Sequence, residues 1–170
     1  MKKKQVTLYN MLFPIWLIWM IPLTGIFPIV LIGNFVIDSL VIYFAMKFMK
    51  VEQIKENYKR SVLRIWIMGF LADVIGMLPM LFLMFNSNDE IYESIGYYVC
   101  YNPLKNPAGF FFVIVCIVLA GICIYGFNKK IALKKTSLNL EQKKKAAIAM
   151  AVITAPYLYL LPFEWVLPNI

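Results

Sequence analysis

The sequence predicts an all-α integral membrane protein: a bundle of about five transmembrane helices, with the N-terminus cytoplasmic and the C-terminus outside. Three observations lead there. The chain of 170 residues is 62% hydrophobic, whereas soluble domains are roughly half apolar. Its apolar runs are long enough to cross a bilayer. Its lysines and arginines fall almost entirely between alternate runs.

From Val6 to Met49 the only strong interruption is TGIFP, residues 24–28. As one helix those 44 residues would extend about 66 Å, against a hydrocarbon core of about 30 Å. Two spans are therefore expected, 6–23 and 27–49, broken by Pro22, Gly25 and Pro28. A re-entrant hairpin is the alternative, because the tip carries no charge. The opening MKKK followed by an apolar run looks like the start of a signal peptide, but it lacks a small-x-small cleavage site. A retained anchor is expected. Segment 50–60 is charged and free of Gly and Pro, and reads as a largely helical cytoplasmic loop leading into a third span, 61–85. A polar and aromatic outer loop follows, 86–109, then a fourth span, 110–127. A second basic cytoplasmic loop, 128–145, precedes a fifth span, 146–161, bent or ended by Pro156, Pro162 and Pro168. All of it forms one membrane domain, 1–170.

Orientation follows from charge. Sixteen of the 17 Lys and Arg flank the first span's start, the 50–60 loop or the 128–145 loop. Only Lys105 falls in the outer loop, beside Asp89, Glu90 and Glu93. Five spans put all sixteen in the cytoplasm, as the positive-inside rule requires. The expected location is the cell membrane, multi-pass, of bacterial plasma-membrane type. The net charge of +8 is then a loop asymmetry and not a nucleic-acid footprint. The expected partners are the bilayer and anionic lipids at the basic loops, at about 1 kcal/mol per Lys or Arg near the surface. There is no histidine, and the three cysteines show no metal-binding spacing, so neither metal nor cofactor is expected. Trp66 and Trp165, with Tyr92, Tyr97, Tyr98 and Tyr101, fit interfacial belts. Cys100 is expected to face outward, free or paired between chains.

Small residues mark packing faces. Ala147, Ala151 and Ala155 recur every four residues on the fifth span, and Cys116, Ala120 and Cys123 form a weaker stripe on the fourth. Gly69 and Gly76 flank Asp73 on the third. Such stripes let backbones approach closely in lipid, within one chain or toward another copy or a partner membrane subunit.

The residues that most need explaining are two acids. Lys47 to Asp38 is nine residues, and Arg64 to Asp73 is also nine. Both acids should then lie about 13.5 Å from a flanking cation, near the bilayer midplane. Asn34 stands one turn from Asp38 on the same face. A charge exposed to lipid there costs roughly 2.5 to 3.5 kcal/mol, so both acids should face the bundle interior or water. Two acids at close range resist carrying charge together, and a shared proton or a bound cation relieves the repulsion.

The leading expectation is a transport-related or ligand-binding subunit with a proton or cation site at Asp38, Asp73 and Asn34. The alternative is a scaffold, regulatory or assembly subunit in which the acids only hold helices together. An intramembrane aspartyl protease would also use two acids, but the glycine-aspartate motif of those enzymes is absent, so catalysis is not expected. Glu164, beside Trp165, reads as a hydrated interfacial acid. In size and helix count the chain resembles the small substrate-binding membrane subunits of energy-coupling-factor vitamin transporters, which usually have six helices. No residue motif carries that likeness, so it implies nothing about the site.

Overall fold

The structure, a computed structural model, describes residues 26–86 and 89–162. The expected first span, the Lys2–Lys4 cluster, Glu164, Trp165 and Pro168 lie outside them. Every regular element among the described residues is helical. Four are long: α1 (Ile26–Phe48), α2 (Ile54–Asn86), α3 (Pro107–Phe127) and α4 (Leu140–Ile153). Among the described residues three stretches, Leu31–Phe48, Ile54–Phe85 and Pro107–Ala132, are long and apolar enough to cross a membrane. Helices suit that setting because each satisfies its own backbone polar groups.

Large apolar side chains lie on the outer faces of the helices as well as in their core. On α1 the inward stripe is Asp38, Ile42 and Met46, while Val36, Ile37, Leu40 and Phe44 point out. On α2 the buried positions include Asn57, Ser61 and Ile65, while Ile67, Phe70, Leu71 and Phe82 are exposed. A few polar groups join the apolar interior, and large apolar side chains also cover the outer faces, an arrangement that a hydrocarbon solvent accommodates.

The chain divides into two compact units, and α2 and α3 supply residues to both. The larger unit contains residues 28–77 and 117–157. Its core joins Ile42 and Met46 of α1, Ile65 and Ala72 of α2, Ile124 of α3, and Ala146 and Met150 of α4. Contacts between α1 and α2 run antiparallel: Tyr43 meets Tyr58 and Phe35 meets Trp66, both edge to face.

The turn between α1 and α2 contains neither Gly nor Pro. The Lys50 N–H reaches the Lys47 carbonyl, and the Val51 N–H reaches the Met46 carbonyl, both at 3.1 Å. With Lys50 at φ 50°, these bonds make a Schellman ending. Val51 and Met46, the apolar pair that accompanies such an ending, both enter the core. Gln53, at φ 52°, makes the second left-handed step and lets α2 begin. Thus α2 starts at Ile54, inside the segment expected to be a loop.

The link between α3 and α4 is fixed by Asn57. Its Nδ2 donates to Ser137 Oγ at 2.9 Å and to the Glu52 carbonyl at 3.0 Å. Its Oδ1 accepts from the Ser137 backbone N–H at 2.8 Å and from Ser137 Oγ at 3.1 Å. Asn57 is only 2% exposed, so these partners replace the water it has lost. Two residues on, α4 opens with a capping box. Asn139 Oδ1 accepts from the Gln142 N–H at 2.8 Å, and the Asn139 N–H donates to Gln142 Oε1 at 3.0 Å. This box starts α4 at Leu140, six residues before the expected fifth span. At fourteen residues it is about 21 Å long. It stops at Ile153, where Thr154 forms the C-cap and Pro156 prevents continuation. A short 3-10 turn, Tyr157–Leu160, follows.

The smaller unit includes residues 78–86, 89–116 and 158–162. Its connection is not an open loop but a string of helical turns, Asp89–Ile91, Tyr92–Gly96, Tyr97–Tyr101 and Pro103–Lys105. Tyr97 and Tyr101 stack at 5.4 Å. The Asn106 side chain caps α3 by accepting from the Gly109 N–H at 3.0 Å, with Pro107 at the first helical position. A Cβ on Gly109 would stand 3.1 Å from Tyr98 Cβ, so only glycine lets these turns pack against the start of α3. Cys100 is free but buried among these turns. It is 3% exposed, with Sγ 3.8 Å from Met84 Sδ, and burial pushes its thiol up to about 12.

Two outcomes are expected. Lys50→Gly, which removes the Cβ from a left-handed position, should raise stability by about 1 kcal/mol; a lowered unfolding midpoint in detergent would contradict the turn described. Cys100 should resist maleimide at neutral pH in folded protein and label fully after denaturation, as mass spectrometry of the Cys116→Ala, Cys123→Ala chain would read.

Candidate functional site

Asp38 lies ten residues before the end of α1, on the inward stripe, and is 6% exposed. Two other helices wall it in. A Cβ built on Gly69 of α2 would stand 3.3 Å from Asp38 Oδ2. The carboxyl group therefore occupies space that a larger residue at Gly69 would contest. From α4, Thr154 makes a side-chain hydrogen bond to Asp38. Thr154 also donates from Oγ1 to the Met150 carbonyl at 2.9 Å, and its N–H reaches the same carbonyl at 2.9 Å.

The threonine hydroxyl has one proton and two lone pairs. The structure commits that proton to the Met150 carbonyl, so Thr154 stands beside Asp38 as a polar neighbour in an otherwise apolar surrounding. The carbonyl end of α4 is also the negative end of its dipole, and Asp38 sits beside it.

Asp73 is half-buried and lies within electrostatic range of Asp38. The two acids are therefore brought together, but not level. Gly69 is the residue of α2 against Asp38, and Asp73 is four residues further along, about 6 Å. Equal counts from Lys47 and Arg64 do not start from the same height. Lys47 is in the last turn of α1, whereas Arg64 is ten residues into α2.

Asn34 is half-buried one turn before Asp38, and Gly76 is buried one turn beyond Asp73. The small-residue stripe is used within the chain. Ala147 is fully buried, and the Ala151 carbonyl oxygen is 3.5 Å from a Cβ placed on Gly121 of α3. Ala155 is buried but lies beyond the end of α4, so it does not extend a helical stripe. Sequence reasoning did not single out Thr154. Its signal was a hydroxyl two residues before Pro156, where a helix was due to stop.

Among the described residues no group of three or more His, Cys, Asp or Glu could hold a metal ion. The oxygens around Asp38 suit a proton or a hard monovalent cation. Comparison with protein-family models, curated proteins and solved structures gives no match.

A double-mutant cycle checks the central contact. Asp38→Ala and Thr154→Val should show a coupling of about 0.6 to 2 kcal/mol in unfolding free energy. Additive effects would mean that the two side chains do not act together.

Proposed function

We propose that this chain is a transport-related or ligand-binding membrane subunit that uses Asp38 and Asp73 to take up a proton or a monovalent cation. In this reading it is a multi-pass protein of the bacterial plasma membrane. Five spans place the basic loops in the cytoplasm, and the chain works as an oligomer or with a partner membrane subunit. One observation supports the site most directly. Asp38, Asp73 and the carbonyl end of α4 converge, and such a convergence holds a proton or another positive species more readily than it holds two bare carboxylates. A helix ending beside an intramembrane acid also resembles, in physical terms, the interrupted helices that hold coupling ions in transporters.

A second reading has its own support. The Asp38–Thr154 bond ties α1 to the end of α4, which is what a purely structural acid would do. In that case the chain is a scaffold or assembly subunit.

Infrared difference spectroscopy on protein reconstituted in lipid separates the two. A pH step should give a carboxyl band that shifts in D2O and disappears in Asp38→Asn, while the variant keeps its helical content. If the wild-type band ignores both pH and solvent exchange, the acid is sealed and the uptake reading fails. Asp38→Asn should also abolish proton or sodium flux into vesicles by tenfold or more, a loss of the size expected when an essential intramembrane acid is neutralised. Native mass spectrometry of the same preparation reads copy number and any co-purifying subunit.

A further inference from the structure

The cations of this chain are far apart in sequence but meet in one unit. Residues 47–64 and 128–145 together hold thirteen Lys and Arg against three Glu. Both segments belong to the larger unit. The paired bonds between Asn57 and Ser137, at 2.8 to 3.1 Å, set the α1–α2 turn beside the α3–α4 link. Val51 from the turn and Leu133 and Leu138 from the link share the same buried cluster. The two basic stretches therefore form one surface rather than two independent loops.

That surface is not only charged. Phe48 is 83% exposed between Lys47 and the Lys50 turn, and Leu140 is 75% exposed at the head of α4. Ile131 is also exposed, flanked by Lys130 and Lys134. Large apolar side chains standing among exposed lysines suit the boundary where acyl chains meet headgroups. Lys129 shows how a cation reaches along this boundary, with Nζ 3.2 Å from the Tyr125 hydroxyl and 5.4 Å from its ring centre.

From these observations we infer that the Asn57–Ser137 pair assembles a composite binding face for anionic phospholipid headgroups. The partner is identified by charge and by the apolar side chains beside it: a phosphate-bearing headgroup attached to acyl chains. A soluble polyanion would use the lysines but gain nothing from Phe48 and Leu140. The inference does not rest on any role for Asp38.

The inference makes an unusual demand on uncharged substitutions. Ser137→Ala and Asn57→Ala leave net charge unchanged but loosen the two segments from each other. The full chain, purified in a neutral detergent, is titrated with phosphatidylglycerol, with phosphatidylcholine and with free glycerol phosphate. Bound lipids are counted by native mass spectrometry, and thermal midpoints are read in parallel. Phosphatidylglycerol should bind in preference to phosphatidylcholine, and the preference should shrink as salt rises from about 0.05 M to about 0.5 M. It should fall at least several-fold in Ser137→Ala, and similarly in the charge-removing control Lys134→Gln with Lys135→Gln. Ser137 is exposed, so its alanine variant is the one expected to keep the fold, checked by helical content. It decides the matter if Asn57→Ala unfolds. Equal binding of the two lipids, or an equal response to free glycerol phosphate, would overturn the lipid assignment. Full retention of the preference in folded Ser137→Ala would overturn the role of the bonds between the Ser137 hydroxyl and Asn57.

Discussion

The larger unit depends on one buried amide. Asn57 has lost nearly all contact with solvent, and its donors and acceptor must be met by protein. It meets them with the carbonyls of the preceding turn and with Ser137, eighty residues away. This sets where the α3–α4 link lies, and therefore where α4 begins. From the Asn139 cap, the fourteen residues of α4 lead to Thr154, about 22 Å away. From Asn57, twelve residues of α2 reach Gly69, about 18 Å away. Two helices started from the same anchor thus arrive at nearly the same level, where Asp38 of α1 lies between them. The geometry of the acid is inherited from the latch at the other end.

The carboxylic acid is kept in an otherwise largely apolar core. The outward faces of α1 and α2 carry Val, Ile, Leu and Phe, and their inward faces carry Ile42, Met46, Ile65 and Ala72 beside Asp38, Asn57 and Ser61. Gly69 leaves room for the carboxyl, and the early stop of α4 supplies a hydroxyl rather than another aliphatic wall. Had α4 continued as an unbroken helix past Pro156, its carbonyls would have been internally bonded there. Its negative end would not have met Asp38.

Much of this was legible in the sequence, and the parts that were not share a cause. The helical character and the long apolar stretches followed from composition and run length, and Asp38 stood out by chemistry alone. The helical character of the segment before the third span was legible from its lack of Gly and Pro, but the turn that precedes α2 is made by Lys50 and Gln53 in left-handed conformations. Neither residue type announces such a turn. The start of α4 was placed late because LEQKKK reads as loop by charge, although Asn139 and Gln142 carry the capping box. Equal counts from Lys47 and Arg64 do not bring the acids level, because Arg64 lies well inside α2 and Gly69, not Asp73, stands against Asp38. Thr154 acquires meaning only through a partner more than a hundred positions earlier, which no local pattern encodes.

The capping box has an electrostatic consequence of its own. It begins α4 with Glu141 in the first turn, where an acid suits the positive pole, and Lys143, Lys144 and Lys145 follow in the second turn. Glu141 bonds Lys145 across one turn, which holds its carboxyl below the usual range. The acid at the head of α4 thus stands between the helix dipole and the lysines that follow it.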